Sequence, residues 1–257
     1  MSEPVLPPLP SDWLRFRLGE QALGWLSPER AARVLPLLPG ARLTDQELRW
    51  EGAADLSAVM QAAAEALRAQ GAIQGWRGEA FACEAPLAEP CSARGTELFR
   101  MERAAFRFFG LMSRAVHING WRPDGRMLCG RRSLSKPTDP GLLDNLAAGG
   151  LAAGEEPLAC ARRELWEEAG VDAALSAALR PGGALRTVRL TAQGLHDEVL
   201  HVFNLRLPAE FRPVNQDGEV AEFLDLEPGS LSGFTPDAAA VIAYAIERGD
   251  HKELHGE

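Results

Sequence analysis

The sequence predicts an α/β protein with a smaller α+β domain in front of it, and three observations carry that reading. The chain has 257 residues, more than one domain of ordinary size and suited to one and a half to two. In its second part, runs of strand character alternate with helical spacing: strand, turn, strand, long loop, helix, strands again, and a closing helix. Before that, a hairpin signal and two helix signals are followed by a stretch of loop chemistry around Pro86, Pro90, Ser92 and Gly95.

Composition bounds the function. Hydrophobic residues make up 46% and charged residues 25%, which supplies a core and excludes disordered or fibrous classes. Acidic residues number 36 against 27 basic ones, a formal charge of −9, so general binding to a nucleic-acid backbone is not expected. No stretch reaches the roughly 20 apolar residues of a membrane span. The start, MSEPVLPPLPSDW, has an acid and four prolines where a secretory signal has a basic and then an apolar run. Cys83, Cys91, Cys129 and Cys160 are widely spaced with no C-x-x-C pair, which predicts neither a zinc site nor a disulfide framework, and a cytoplasmic location.

Taken in order, 13–18 and 21–26 flank Gly19-Glu20 as a hairpin. Ser27 caps and Pro28 opens a helix to Leu38. Leu56, Met60, Ala63, Ala64 and Leu67 fall at helical spacing within 54–70, and 76–83 reads as a strand. After a short amphipathic segment at 102–109, strands are predicted at 115–121 and 127–131 around Pro123-Asp124-Gly125. A helix at 157–169, strands at 185–190, 198–207 and 220–226, and a helix at 236–248 complete the chain.

The chemistry concentrates in 149–171. Glu155-Glu156-Pro157 is a helix start and Gly170 a helix stop. Within that helix Glu164, Glu167 and Glu168 project from one side, while Leu158, Ala161, Leu165 and Ala169 fall on another. An acidic helix face is ordinarily a solvated one. Three carboxylates held together repel, however, and a hard divalent cation such as Mg²⁺ or Mn²⁺ is their natural partner.

The pattern Gly149-x5-Glu155-x7-Arg163-Glu164-Leu165-x-Glu167-Glu168-x-Gly170-Val171 resembles the Nudix box at every fixed position, which decides against the solvated face. The resemblance implies a Nudix α/β/α sandwich with a mixed sheet over 106–257, preceded by an α+β domain over 1–105 that shapes substrate choice or dimerisation. It implies a Mg²⁺- or Mn²⁺-dependent pyrophosphohydrolase acting on a small-molecule diphosphate, with homodimers common among its members. By position in the box, Glu167 and Glu168 would be the principal metal ligands and Glu164 a further ligand or the general base. Arg163 would orient a box carboxylate, Glu155 would support it, and a carbonyl at Ala148 or Gly149 would complete the metal shell. One more acid is commonly recruited from a later loop; Glu219 is the first candidate, then Glu222 and Glu198.

Outside the box, Arg131, Arg132 and Lys136 place three cations in one loop and suit an anionic diphosphate, and Asn145 caps the loop before Gly149 or touches substrate. His117, in a predicted strand, reads as a hydrogen-bonded core residue, and Trp76 and Trp121 as core residues before ring contacts. The segments 117–121, 130–141, 143–145 and 217–220, with 24–28 and 75–77, resemble the Nudix subgroup found alone or fused to thiamin pyrophosphokinase. That subgroup is associated with hydrolysis of thiamin diphosphate and its oxidised analogues to the monophosphate. The alternatives are ADP-ribose, NADH, dinucleoside polyphosphates or isoprenoid diphosphates as substrates, or a non-catalytic Nudix domain that senses a ligand.

Overall fold

A computed structural model describes residues 9–136 and 138–250, so most of the proline-rich start lies outside the described residues. The chain divides into two compact units: Met1–Ser113 with Ala152–Gly154 and Arg186–Val199, and Arg114–Leu151 with Glu155–Leu185 and Leu200–Glu257. The division falls after 105 because Phe106, Phe108, Phe109 and Leu111 are buried in the core of the first unit.

In the first unit, β1 (Leu14–Leu18) and β2 (Gln21–Leu26) form the antiparallel hairpin, turning at Gly19 with φ of +53°. β3 (Arg42–Leu43) and β4 (Glu47–Trp50), neither of them foreseen, extend it to a sheet of order β2-β1-β4-β3 in which β1 and β4 run parallel. Helix α1 (Pro28–Val34) is capped by the Ser27 hydroxyl, which accepts from the Arg30 N–H. It ends before Leu38 because Pro36 has no N–H to donate, and Leu35–Leu37 tighten into a 3₁₀ turn.

Helix α2 (Leu56–Ala69) is capped by Asp55 and buries Met60, Ala63, Ala64 and Leu67, the residues at helical spacing. The strand expected from Trp76 begins only at β5 (Ala80–Glu84). The N–H groups of Arg77 and Gly78 are committed to the Glu102 carboxylate, and Gly78 turns the chain at φ of +73°. β5 pairs with β6 (Glu97–Glu102), and α3 (Ala104–Phe109) closes the unit.

The second unit is an α/β/α sandwich. Its central strand β7 (Met112–Trp121) alternates between two cores. Val116 and Ile118 join Cys160, Ala161, Leu165 and Ala169 of α4 (Pro157–Ala169) on one face. Trp121 packs with Ala238, Ile242 and Ala245 of α6 (Pro236–Arg248), and Ala115 with Val241 and Tyr244, on the other. This is the period-2 rule of a strand covered on both sides.

The sheet order is β11 (Arg180–Thr191), β12 (Gly194–Arg206), β7, β8 (Met127–Arg132), β13 (Val220–Leu226). Two short strands, β9 (Leu143–Asp144) on β8 and β10 (Ala147–Gly150) on β7, carry the loop that leads into α4. Helices 157–169 and 236–248 and strand 220–226 have the bounds expected from sequence. The strands expected at 185–190 and 198–207 are longer, and β9, β10 and α5 (Ala173–Ser176) were not foreseen. Among the described residues no helix is long and apolar enough to cross a membrane, and no disulfide joins the cysteines.

Leu165 is fully buried between α4 and β7. Leu165→Ala is expected to cost about 2–5 kcal/mol, read as a lower urea midpoint at unchanged slope.

Candidate active site

Helix α4 brings the box carboxylates to the sheet. Pro157 occupies its first turn, and Gly170 ends it at φ of +65°, with the Val171 N–H returned to the Leu165 carbonyl at 3.1 Å. Leu165 and Ala161 pull one face into the core, which turns Glu164 and Glu168 toward β10.

There the backbone receives them. The Ala148 N–H donates to Glu168 Oε2 at 2.9 Å. A Cβ on Gly149 would stand 1.9 Å from Glu164 Oε1, so only glycine lets that carboxylate lie against the strand. Arg163 spans the rest: Nε and Nη2 each donate to one oxygen of Glu155 at 2.9 Å, and Nη1 reaches Glu164 at 2.7 Å and Glu167 at 3.1 Å. The fork-on-fork pair with Glu155 is the strong planar form of this contact.

The later loop is tied to the end of the same helix. The Val214 and Gln216 N–H groups donate to the carbonyls of Ala169 and Glu167, filling acceptors that a helix C-terminus leaves open. Asn215 Oδ1 accepts from the Asp217 and Gly218 N–H groups, and the Asp217 carboxylate from the Glu219 N–H. The Glu219 carbonyl in turn accepts from the Ser133 N–H at 2.8 Å. As a result oxygens of Glu168, Asp217 and Glu219 lie within 4.8 Å of one another. Lys136 Nζ bonds Glu219 and stands 3.9 Å from Glu168 Oε1.

These groups fit a divalent cation by their own chemistry. Burial pushes the Glu168 carboxyl up to about 8, with the Glu164 charge adding to it, against the pull of Lys136 and the Ala148 N–H. Burial also raises Glu164, opposed first by the charge of Arg163. Two carboxyls held above their ordinary range, with further acids beside them, form a hard oxygen site short of positive charge. Arg163 is raised in turn by its hydrogen bonds to Glu155.

Glu155, Arg163, Glu164, Glu168, Glu219 and Lys136 therefore gather in one place with Gly149. Asp217, which the sequence reading did not single out, stands with them; its signal was the Asp-Gly turn before a strand. Glu167 is set apart from the close cluster, 41% exposed and held by Arg163.

Other expectations need correction. Glu222 is paired with Arg131 across the β8–β13 ladder, which faces both away from the cluster. Glu198 accepts from Ser113 in the first unit. Arg132 donates to Asp144 and the Thr138 carbonyl and so clamps its own loop. Asn145 is 1% exposed. It is engaged by His117 Nδ1 at 2.7 Å and donates to Asn119 at 2.6 Å, a buried network that positions β10 and leaves no face for substrate. Trp121 is fully buried, bonded to Asn204, and Trp76 lies under Arg68.

The NUDIX domain matches residues 112–244 of this sequence, and the chain belongs to the Nudix family. It is similar to Nudix hydrolase 20, chloroplastic, of Arabidopsis thaliana, 38% identical over 157 residues that cover 60% of this chain and 40% of that protein. The chain thus spans well under half the length of that relative. Isopentenyl-diphosphate Delta-isomerase of Streptomyces coelicolor is 32% identical over 152 residues, covering 58% of this chain and 75% of the isomerase. Among solved structures, a MutT protein from Methanosarcina mazei covers 54% of this chain and 95% of its own at 19% identity and a TM-score of 0.42.

The raised carboxyls set a pH dependence. A folded pKa above the unfolded one means that the folded chain binds the proton more tightly, so stability is lost as pH rises from the ordinary Glu range through about 8. Melting temperatures in chelator are expected to fall between about pH 5 and 9, and Glu168→Gln to flatten the decline. Gly149→Ala should displace Glu164, costing about 1–3 kcal/mol in denaturant titrations.

Proposed function

We propose that this chain is a metal-dependent pyrophosphohydrolase that cleaves a small organic diphosphate to the monophosphate and phosphate. The observation that supports it most is the convergence of buried Glu168 with Asp217, Glu219 and Lys136 beside Glu164, on a complete Nudix box.

In this reading Glu168, Glu164, Asp217 and Glu219 hold Mg²⁺ or Mn²⁺, with Glu167 and the Gly149 carbonyl as further ligands. Bound there, the ion would neutralise charge on the diphosphate and lower the pKa of water. The water oxygen forms a bond to one phosphorus as the bridging P–O bond breaks. Its proton would pass to a box carboxylate, Glu164 being the base where it does not serve as a ligand. Arg163 acts at a distance by holding Glu155, Glu164 and Glu167 in register. Lys136, the cation of its loop that reaches the acids, meets the phosphate oxygens.

The finer reading is thiamin diphosphate, especially its oxidised analogues, and it rests on the segment resemblances. Several of those segments, 117–121 and 143–145 among them, serve to build the buried network under the site. A second reading has a specific support: the likeness to an isopentenyl-diphosphate isomerase that covers three quarters of that protein. An isoprenoid diphosphate would use the same acids with no net hydrolysis.

The test is phosphate release by the full chain with Mg²⁺ or Mn²⁺, over thiamin diphosphate, oxidised thiamin diphosphate, ADP-ribose, NADH and isopentenyl diphosphate. Product NMR on the last substrate separates rearrangement from hydrolysis. Turnover is expected on a thiamin diphosphate form, and Glu168→Gln or Glu164→Gln should lower it by about 10²-fold or more while the fold is retained. Either variant at wild-type rate refutes the acid cluster as the site, and tight binding without turnover on any substrate favours a sensing domain.

A further inference from the structure

The first unit holds a cavity of about 210 Å³ that the proposed reaction does not use. Its floor is set by a backbone approach that two glycines permit. A Cβ on Gly24 would stand 2.3 Å from the Phe109 carbonyl oxygen, and one on Gly110 would stand 2.4 Å from that of Trp25. Trp25 is thereby held in place, and the Arg15 guanidinium lies over its ring, 4.4 Å from the centroid. Leu23, Pro86, Leu87, Pro90 and Met112 supply an apolar wall.

Four charged residues line this space, and three are matched within the unit. Arg186 donates from Nε and Nη2 to the two oxygens of Asp197, both at 2.7 Å. Glu84 takes Arg94 Nε at 2.8 Å and the Gly95 N–H at 3.2 Å. Arg15 is the exception: beyond its stacking on Trp25, its guanidinium has no hydrogen bond or ion pair among the described residues. Burial lowers its pKa first and the charge of Arg17 lowers it further, while the Asp197 carboxylate opposes them.

We propose that this cavity is a binding site for a small monoanion with a compact apolar body, its oxyanion on Arg15 and its body against Leu23, Leu87 and Met112. The planar guanidinium edge matches a carboxylate or a phosphate monoester in two-pronged fashion. Size limits the rest of the ligand. A dry cavity of about 150 Å³ accepts benzene, so this one has room for a ring with an acidic group and none for a nucleotide.

Calorimetric titration of the full chain tests this with benzoate, phenyl phosphate and benzyl alcohol, in chelator. Saturable binding of at least one anion is expected, and the stronger of the two tells carboxylate from phosphate. Benzyl alcohol should bind at least about tenfold more weakly, and Arg15→Met should weaken the anion by about tenfold or more, with Arg15→Lys intermediate. Leu87→Glu, which sets a like charge in the wall, should abolish binding without touching the arginine. Glu167→Gln should bind as the wild type does, which separates this site from the proposed active site. The proposal is overturned by no saturation of either anion up to about 10 mM, by Arg15→Met or Leu87→Glu binding at wild-type strength, or by loss of binding in Glu167→Gln.

Discussion

Everything in the second unit is arranged around a cost: two carboxylates one helical turn apart, Glu164 and Glu168, held 8% and 6% exposed against a strand edge. Left to themselves such groups would swing to solvent or take up protons. They stay because Gly149 offers bare backbone, Ala148 offers an N–H, and Arg163 and Lys136 offer charge. On the proposed function, a divalent ion would answer the charge that these acids leave uncompensated. Burial, the first cause of the raised carboxyls, is also why they cost stability as pH rises.

The surrounding fold reads as the scaffold for that arrangement. Val116, Ile118 and Leu165 fix α4 on the sheet, and the helix end is closed by Gly170 and by the 214–216 backbone. The last carbonyls of α4 anchor the 214–216 backbone, and the Asn215 and Asp217 side chains then fold the turn that brings Asp217 and Glu219 to Glu168. On the other side, the chain of side-chain amides from Asn145 through Asn119 to Asn204 is satisfied at each step, so β10 is set in a network that tolerates little displacement. Arg132 does the same for the 133–141 loop that presents Lys136.

Several readings from sequence hold at the level of single residues because they depend on local rules. Pro157 and Gly170 bracket α4, Ser27 caps α1, and Gly19 turns the hairpin, all within one turn of the residues that signal them. The box spacing likewise puts Glu164 and Glu168 on one helix face whatever surrounds them. Misses occurred where a partner distant in sequence decided the outcome. Glu102 claims the N–H groups of Arg77 and Gly78 and delays β5, and β10, with the sequence Ala-Ala-Gly-Gly, is a strand only because β7 pairs with it.

The sequence by itself determined the family, through the complete box, and the acidic helix, because helical periodicity is set by spacing alone. Only the tertiary structure decided which loop groups join the helix. Of three cations in one segment it assigns Lys136 to the acids, Arg132 to its own loop and Arg131 to Glu222, and of the loop acids it selects Asp217 and Glu219. The reasons are long-range backbone pairings: register on β8 sets Arg131 and Arg132 on opposite sides of the sheet, and the bonds of 214–216 to the end of α4 and of Ser133 to Glu219 carry the loop groups to the helix.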